Sequence, residues 1–273
     1  MLGPMPQTPA LTESRRFAVR DVGFTNPLRW LAAGWRDFMA CPIPGLLHGA
    51  VVAVAGSLMF WTARQYFWLL AGAFSGFLLV APVLATGLYA ISRGLQAGRP
   101  VSTRDALRAW IPRDSRLVRF GVLLALAGTG WVATSAALIT ALAPSAVLNP
   151  EDFIRIVVLA DHGRLFELWL ALGGVLAAPV FASSVVALPL LLDARIGVLA
   201  AVLTSWRCVL ANPAPLALWA GLLMTLTLAG MATAMVGLLI VVPWLGHASW
   251  HAYRDLVLPA PASGASPASA AGG

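Results

Sequence analysis

The sequence predicts an all-α fold, a polytopic bundle of transmembrane helices with six spans. Apolar residues make up 59% of the 273-residue chain and charged residues only 11%, against roughly 25% in typical soluble domains. Six apolar stretches are each long enough to cross the ~30 Å hydrocarbon core of a bilayer as a helix. A soluble fold of this size could not bury so much apolar surface, so the first expected partner is the lipid bilayer.

The six spans follow from the lengths of the apolar stretches. The last block, Leu216–Tyr253, holds no charged residue and is too long for one helix, so we predict two helices with a turn at Gly230–Gly237. Residues 1–26 and 259–273 are predicted to be disordered ends of a membrane domain over 27–258. The other predicted spans are Gly45–Ala63, Phe67–Ile91, Phe120–Leu142 and Leu168–Leu192, and the six pair as hairpins over 27–95, 102–195 and 196–258.

The arginines predict the orientation. All 18 basic residues are arginines, and with the N-terminus inside only Arg64, Arg155 and Arg164 fall in outside loops. This bias matches the positive-inside rule. We therefore expect a multi-pass protein of the bacterial inner membrane with both ends in the cytoplasm. The net charge of +7 does not indicate nucleic acid, because the arginines flank apolar runs rather than cluster on one soluble face.

An internal repeat relates the first and last hairpins. The segments GWRDFMACPIP (34–44) and SWRCVLANPAP (205–215) align, and each precedes an apolar span. The returning spans VAPVLATGLYAISR (80–93) and VVPWLGHASWHAYR (241–254) also align. We predict that each repeat is an interfacial helix followed by a hairpin of two spans. The matched pairs are Trp35 with Trp206, Arg36 with Arg207, Pro42 with Pro213, Pro82 with Pro243 and Arg93 with Arg254.

Proline inside a span has two readings. Pro82, Pro189 and Pro243 each remove a backbone donor at membrane depth, which neighbouring helices or water must compensate. They could bend helices around a shared interior, as a transporter needs, or accommodate tight packing, which we favour. Pro189 lies in the middle hairpin, which we interpret as a divergent third copy of the repeat.

The first interfacial helix is predicted to be amphipathic. Its apolar residues recur at helical spacing on one face, so it is expected to lie on the inner leaflet; they are Leu28, Leu31, Trp35, Phe38 and Met39. Tryptophans near span ends are predicted to anchor the chain at the membrane surface. They are Trp30, Trp35, Trp61, Trp68, Trp110, Trp206 and Trp250.

Three histidines form the one candidate ligand site. His247 and His251 are four residues apart, so both imidazoles lie on one helical face. His48 is expected at the same depth, near the start of the first span. Imidazole binds zinc, copper or haem iron, so a metal or haem site is one reading. The other is that these are interfacial side chains hydrogen-bonded to backbone or lipid.

No catalytic residue is predicted. The motifs HExxH, GxGxxG, GxxxxGK[ST], CxxC and GxSxG are all absent from the sequence. Arg93 and Arg254 end equivalent spans and, with Asp193 and Asp255, could form a charged ring at the inner mouth. More often such residues pair at the interface. Apart from the histidines, nothing indicates a cofactor.

Several longer stretches resemble one bacterial family. GFLLVAPVLATGLYAISRGL, SSVVALPLLLD, ANPAPLALWA and LLIVVPWLGHASWHAYRDLV are similar to the DUF2189 family of integral membrane proteins, and the likeness covers roughly Pro27–Val257. The resemblance implies a helical membrane fold and no known reaction. Labels on some members of the family link them to cytochrome oxidase. The resemblance therefore implies, as an expectation, that this chain is also linked to cytochrome oxidase.

Three functions remain open at this stage. The first is a non-enzymatic accessory, assembly or scaffold protein that binds a membrane-protein partner, since tight helix-packing motifs such as Gly72-xxx-Gly76 are present and catalytic motifs are absent. The second is a small-solute transporter or channel, which the repeat and the bent spans would suit. The third is a metal- or haem-binding membrane protein that uses the histidines.

Overall fold

The structure, a computed structural model, describes residues 8–65, 84–111, 115–159 and 164–258. These residues form helices and one two-stranded antiparallel ribbon, β1 (Ala18–Val19) with β2 (Val257–Leu258). The helices are α1 (Pro9–Ser14), α2 (Asn26–Ala40), α3 (Pro42–Gln65), α4 (84–96), α5 (Thr103–Ala109), α6 (Ser115–Leu142), α7 (Pro150–Asp152, continued by a π-helix over Phe153–Val158), α8 (Leu165–Ser184), α9 (Ala187–Asp193), α10 (Val198–Ala211), α11 (Pro213–Ala232) and α12 (Leu238–Leu256).

Four stretches among the described residues are long and apolar enough to cross a membrane, which supports the predicted all-α membrane fold. They are Pro42–Thr62, Ser115–Leu142, Leu165–Asp193 and Pro213–Ala232. The predicted second span lies mostly outside the described residues, and only 84–91 of it is seen as helix. Helix α12 is less apolar because it carries two histidines, an arginine and an aspartate. The count of six spans and the three hairpins therefore stay predictions.

The turn predicted at Gly230–Gly237 lies between α11 and α12. Its centre is left-handed, with φ of 52° at Ala234 and 68° at Met235. The Thr233 hydroxyl donates to the Gly230 carbonyl at 2.8 Å and accepts from the Gly237 N–H at 2.7 Å. A Cβ on Gly237 would lie 2.8 Å from the Gly230 Cα. Glycine is therefore required at position 237, where a side chain would meet the backbone of α11.

Two helix breaks have nearly the same geometry. Cys41, between α2 and α3, has φ −142° and ψ 64°, and Asn212, between α10 and α11, has φ −127° and ψ 54°. Each N–H bonds to the carbonyls three and four residues before it. Each precedes a proline, Pro42 or Pro213, which disfavours helical geometry at the residue before it and suits the first turn of the next helix. This match accords with the repeat, which remains a prediction.

The fourth predicted span is interrupted. Helix α8 ends at Ser184 and α9 begins at Ala187, with turn geometry at Val185 and Val186. Pro189 has no N–H to donate to the Val185 carbonyl, and the Val186 N–H donates to the Ser205 hydroxyl at 3.1 Å instead of to a carbonyl of α8. In contrast, Pro243 is accommodated inside α12.

The N-terminal segment corrects one expectation. Residues 1–26 were expected to be disordered, yet residues 8–25 are packed on the bundle and contain α1 and β1. The buried Ser14 hydroxyl lies 2.9 Å from that of Thr204, and Arg207 donates to the backbone carbonyls of Ser14 and Phe17. These tertiary contacts and the pairing of β1 with β2 order the segment. Its polar composition gave no sign of them, because the contacting residues lie far along the chain.

Two tryptophans predicted as membrane-surface anchors lie in the core instead. Trp30 is 3% exposed and packs edge-on against Trp219, with ring centroids 5.7 Å apart. Trp250 is 1% exposed and contacts Tyr89 and Tyr253. Their indole N–H groups find partners on other helices, so a buried position costs no lost hydrogen bond. In α2 the predicted apolar face is divided, because Leu31 and Phe38 are buried whereas Leu28, Trp35 and Met39 are exposed.

Glycines set the contact of α12 with its neighbours. Gly49 of α3 faces the backbone of Leu239, and Gly45 would place a Cβ 3.1 Å from Pro243. Gly34 of α2 would place one 2.5 Å from the Ala248 nitrogen. Helix α12 therefore crosses α2 and runs antiparallel to α3 at backbone contact, which positions its two histidines between α2, α3 and α4.

Candidate functional site

A buried polar cluster forms where α12 meets α2, α3 and α4. His247 and His251 of α12 lie one turn apart, as their spacing predicted. His247 is fully buried and bonds to Ser92 of α4, while His251 bonds to Asp37 of α2. His48 of α3 is 1% exposed. The structure thus places all three predicted histidines in one region, but each has its own set of neighbours.

A chain of hydrogen bonds fixes the tautomer of His251. The Trp250 indole N–H, which can only donate, reaches the Gln96 Oε1 at 2.9 Å. This orients the amide so that its Nε2 donates to the His251 Nδ1 at 3.2 Å. The proton of the ring then lies on Nε2, which donates to the Asp37 Oδ2 at 2.8 Å. The chain links α12 and α4 to α2 at the edge of the bundle.

The environment of Asp37 favours its carboxylate form. Burial alone would raise its pKa, but hydrogen bonding to His251 and Ser92 lowers it, and the net result is a pKa below the ordinary value. Asp37 therefore acts as the acceptor at the end of the chain of donors. This carboxylate holds α2 against α12.

His48 has both ring nitrogens occupied. Its Nδ1 donates to the Pro44 carbonyl at 2.6 Å, one turn earlier in α3. Its Nε2 accepts from the Trp110 indole N–H at 2.8 Å, and the two rings meet edge to face. Neither nitrogen is left for a metal in this arrangement. His48 instead fastens the end of α5 to α3.

His247 is the exception in the cluster. Its Nδ1 lies 2.8 Å from the Ser92 hydroxyl, but its Nε2 is one of two buried side-chain nitrogens without a hydrogen-bond partner in the described part of the chain. The other is the Trp219 Nε1, whose ring packs edge-on with Trp30. An unpartnered buried polar atom costs about 1–3 kcal/mol, and the His247 Nε2 is the one imidazole nitrogen of these three histidines without a partner among the described residues.

The described residues hold no group of three or more His, Cys, Asp or Glu side chains arranged for a metal ion. The cysteines do not contribute, since Cys41 and Cys208 are both free thiols in other parts of the fold. Burial raises the pKa of the Cys41 thiol, which disfavours the thiolate that metals bind. The metal or haem assignment of His247, His251 and His48 stays an untested prediction.

The two arginines that were predicted to end spans, Arg93 and Arg254, meet at one carboxylate. Arg93 and Arg254 lie 3.9 and 3.3 Å from opposite oxygens of Asp193, and the Tyr253 hydroxyl donates to the same group at 2.8 Å. Asp255, predicted to join them, instead accepts from Arg20, Asn26 and Trp30. The charges therefore form two separate pairings rather than a ring. Exposed ion pairs of this kind contribute roughly 0–1 kcal/mol each.

The remaining predicted site residues either contact other parts of the fold or lie on its surface. Trp35 and Trp206 are partly exposed, and Trp206 donates to the Ser183 hydroxyl at 2.9 Å. Arg207 holds the N-terminal segment, whereas Arg36, its equivalent in the predicted repeat, is exposed. Pro82 lies outside the described residues.

Sequence reasoning missed several residues that organise these contacts. Asn212 is 2% exposed and makes three side-chain hydrogen bonds, and Asp255, predicted only as part of a charged ring, accepts from three donors. Ser92 and Gln96 complete the histidine contacts. The available signal was a polar side chain at a helix break, Asn212, and two polar residues, Ser92 and Gln96, on one face of α4.

One comparison with known proteins gives a match. A family model described as predicted integral membrane protein (DUF2189) matches residues 69–193. This confirms the resemblance to DUF2189 over these residues, whereas two of the stretches that carried it, ANPAPLALWA and LLIVVPWLGHASWHAYRDLV, lie beyond the match. The matched segment, a little under half of the chain, runs from the second predicted span to the end of α9. No curated protein and no solved structure matches the chain. The description of the DUF2189 family gives a predicted integral membrane protein and assigns no reaction to it.

Proposed function

We propose that this protein is a non-enzymatic accessory, assembly or scaffold protein that binds another membrane protein through the outward face of α6. The observation that carries the proposal is how little of this helix is covered by the helices that the structure describes. In the most apolar 18-residue window of Ser115–Leu142 only 6% of the residues are buried, against 39% in that of Leu165–Asp193. The contacts of α6 with α8 centre on Trp131 and Trp169, whose ring centroids are 5.5 Å apart.

The composition of the free face favours a helix as its partner. Gly130 lies in the middle of α6 with nothing within 4 Å of a Cβ built on it. Its neighbours on that face include Leu126, Ala133 and Ala137, all exposed. Lipid contact does not require glycine, which costs about 1 kcal/mol relative to alanine in a helix. Small residues at this spacing allow the backbone of another membrane helix to approach closely.

The polar cluster supports the same function indirectly. Its side chains are engaged with one another across α2, α3, α4 and α12, which suits a role in holding the helices together. Some members of the DUF2189 family, which this chain resembles, carry labels that link them to cytochrome oxidase. A respiratory oxidase complex is therefore the first partner to test. The role proposed for this chain is therefore to dock on a membrane complex rather than to transform a substrate.

Affinity capture of the full chain from mild detergent tests the proposal. We expect a specific membrane protein to co-purify with the wild type and to be lost with Gly130→Leu, since the leucine would block close approach of a second helix. Gly221→Leu in α11 is the matched control, because Gly221 also has nothing within 4 Å of a built Cβ. Recovery of the wild type alone, as a stable monomer, would contradict the proposal.

We also propose the finer topology: six membrane-crossing segments in three repeated hairpins, with both ends in the cytoplasm of a bacterial inner-membrane protein. The distribution of arginines and the equivalent helix breaks at Cys41 and Asn212 support it. In a variant without native cysteines, Leu148→Cys should react with an impermeant maleimide added outside the cell, and Gly98→Cys should not. The reverse pattern would overturn the orientation.

A second candidate, metal or haem binding, is favoured by the unpartnered Nε2 of His247. His247→Asn is the suitable variant, because the shorter amide can retain the contact with Ser92 while the Nε2 position is removed. Metal analysis and an absorption spectrum of purified wild type and variant decide between the two functions. Bound metal or haem that disappears in the variant would replace the first proposal; a clean wild-type spectrum without metal would remove this candidate.

A further inference from the structure

A shallow apolar groove follows the seam between α2 and α12. Its volume is about 440 Å³, and its lining residues are Leu28, Leu31, Ala32, Trp35 and Trp244. The Trp244 indole N–H donates to the Leu31 carbonyl at 2.8 Å, and the Trp35 and Trp244 rings meet edge to face at 5.3 Å. These contacts hold both indoles in place. The groove is therefore a fixed feature of the surface, with a floor that suits a hydrocarbon chain.

Two arginines flank this groove. Arg29 and Arg36 are exposed, and neither has an ion-pair or hydrogen-bonding side-chain partner among the residues that the structure describes. They lie three residues before and four residues after Ala32, so all three share one stripe of the helix. Seven residues separate the arginines, or ~10 Å along the axis. Both guanidinium groups are thus free to bind an anion at the edge of the groove.

The faces of α2 fit a helix that lies in the plane of a membrane surface. Trp30, Gly34 and Phe38 face the protein core and are buried. Going around the helix from this buried face, the residues that line the groove come next, and the stripe that holds Arg29 and Arg36 comes after them. With the apolar sector toward acyl chains, the arginines fall at the depth of the lipid headgroups, as in interfacial amphipathic helices.

We propose that the groove and the two arginines form a site for one anionic phospholipid of the adjoining leaflet. An acyl chain lies against Trp35 and Trp244, and the phosphate is held by Arg29 and Arg36. The planar guanidinium group matches phosphate geometry and bonds two oxygens at once. This site shares no residue with the α6 face, so it is independent of the proposed partner.

Lipid retention by the full chain tests the site. Protein extracted from mixed vesicles of phosphatidylglycerol and phosphatidylcholine is examined by native mass spectrometry, which counts the lipids that remain bound. We expect the wild type to retain phosphatidylglycerol preferentially. The double variant Arg29→Gln/Arg36→Gln should lower that preference roughly tenfold or more, since two cationic contacts to the anionic headgroup are removed. Ala32→Phe should also lower retention by filling the groove while both arginines remain.

Arg15→Gln/Arg16→Gln is the matched control, because these two arginines are also exposed and the change in net charge is the same. Selective loss in the groove variants with full retention in this control supports the site. Equal loss in both double variants would mean that only total surface charge matters, and would overturn it. Unchanged retention in either groove variant would overturn it as well. Since all the altered side chains are exposed, the unfolding temperature in lipid-free detergent should stay unchanged.

Discussion

Replacing Gly34 by valine should lower the free energy of unfolding by about 3 kcal/mol. A Cβ at this position would lie 2.5 Å from the Ala248 nitrogen, 2.7 Å from its Cα and 2.8 Å from its Cβ. The obstacle is helix backbone, which cannot rotate away as a side chain could. Helix α2 would therefore have to move from α12, and the contact between Asp37 and His251 would be lost with it.

Thermal unfolding of the detergent-solubilised protein measures this effect. Gly174→Val is the matched control, because nothing lies within 4 Å of a Cβ built on Gly174 in α8. The control should unfold close to the wild-type temperature, with only the modest cost of a β-branched residue in a helix. Equal unfolding temperatures for the Gly34 variant and the control would show that α2 and α12 do not meet at backbone contact.

Replacing Asn212 by aspartate should cost about 3 kcal/mol, although the two side chains have nearly the same shape. The Asn212 Oδ1 accepts from the Val22 N–H at 2.8 Å, and its Nδ2 donates to the carbonyls of Arg20 and Cys208 at 3.0 and 3.1 Å. Aspartate would direct an oxygen at two carbonyl oxygens in a position that is 2% exposed. A buried donor pair is lost and a buried charge is added, and both effects destabilise.

Limited proteolysis and thermal unfolding together measure the loss. The N-terminal segment should be cleaved first, because Arg20 and Val22 are held by Asn212. Asn149→Asp is the control: Asn149 caps α7 by accepting from the Asp152 N–H at 2.8 Å, and aspartate serves equally well at an N-cap. Equal stability of the two variants would contradict the assigned role of Asn212.

Local chemistry made part of the fold predictable. The turn near Gly237 and the helix breaks before Pro42 and Pro213 follow from residues whose backbone preferences act within a few positions. The length of the apolar stretches likewise placed four helices that can cross a membrane. These features depend on the sequence near them and on the thickness of a bilayer, so they need no knowledge of the tertiary contacts.

The tertiary contacts could not be predicted in the same way. Trp30 was expected at the membrane surface because its position near a span end is typical of anchors, but Asp255, far along the chain, supplies the acceptor that allows it to be buried. The order of residues 8–25 depends on Thr204 and Arg207. For the candidate site, helical spacing placed His247 and His251 on one face, whereas their partners Ser92 and Asp37 come from separate helices.

The most direct test of the central claim, that the outward face of α6 binds a membrane protein, is photo-crosslinking in intact cells. A photoreactive amino acid is placed at Leu126 of α6 and, as the control, at Met224 of α11; both side chains are 63% exposed. The account predicts a discrete adduct with a second membrane protein from position 126 and none from position 224. Only lipid adducts at position 126, or the same protein adducts from both positions, would contradict it.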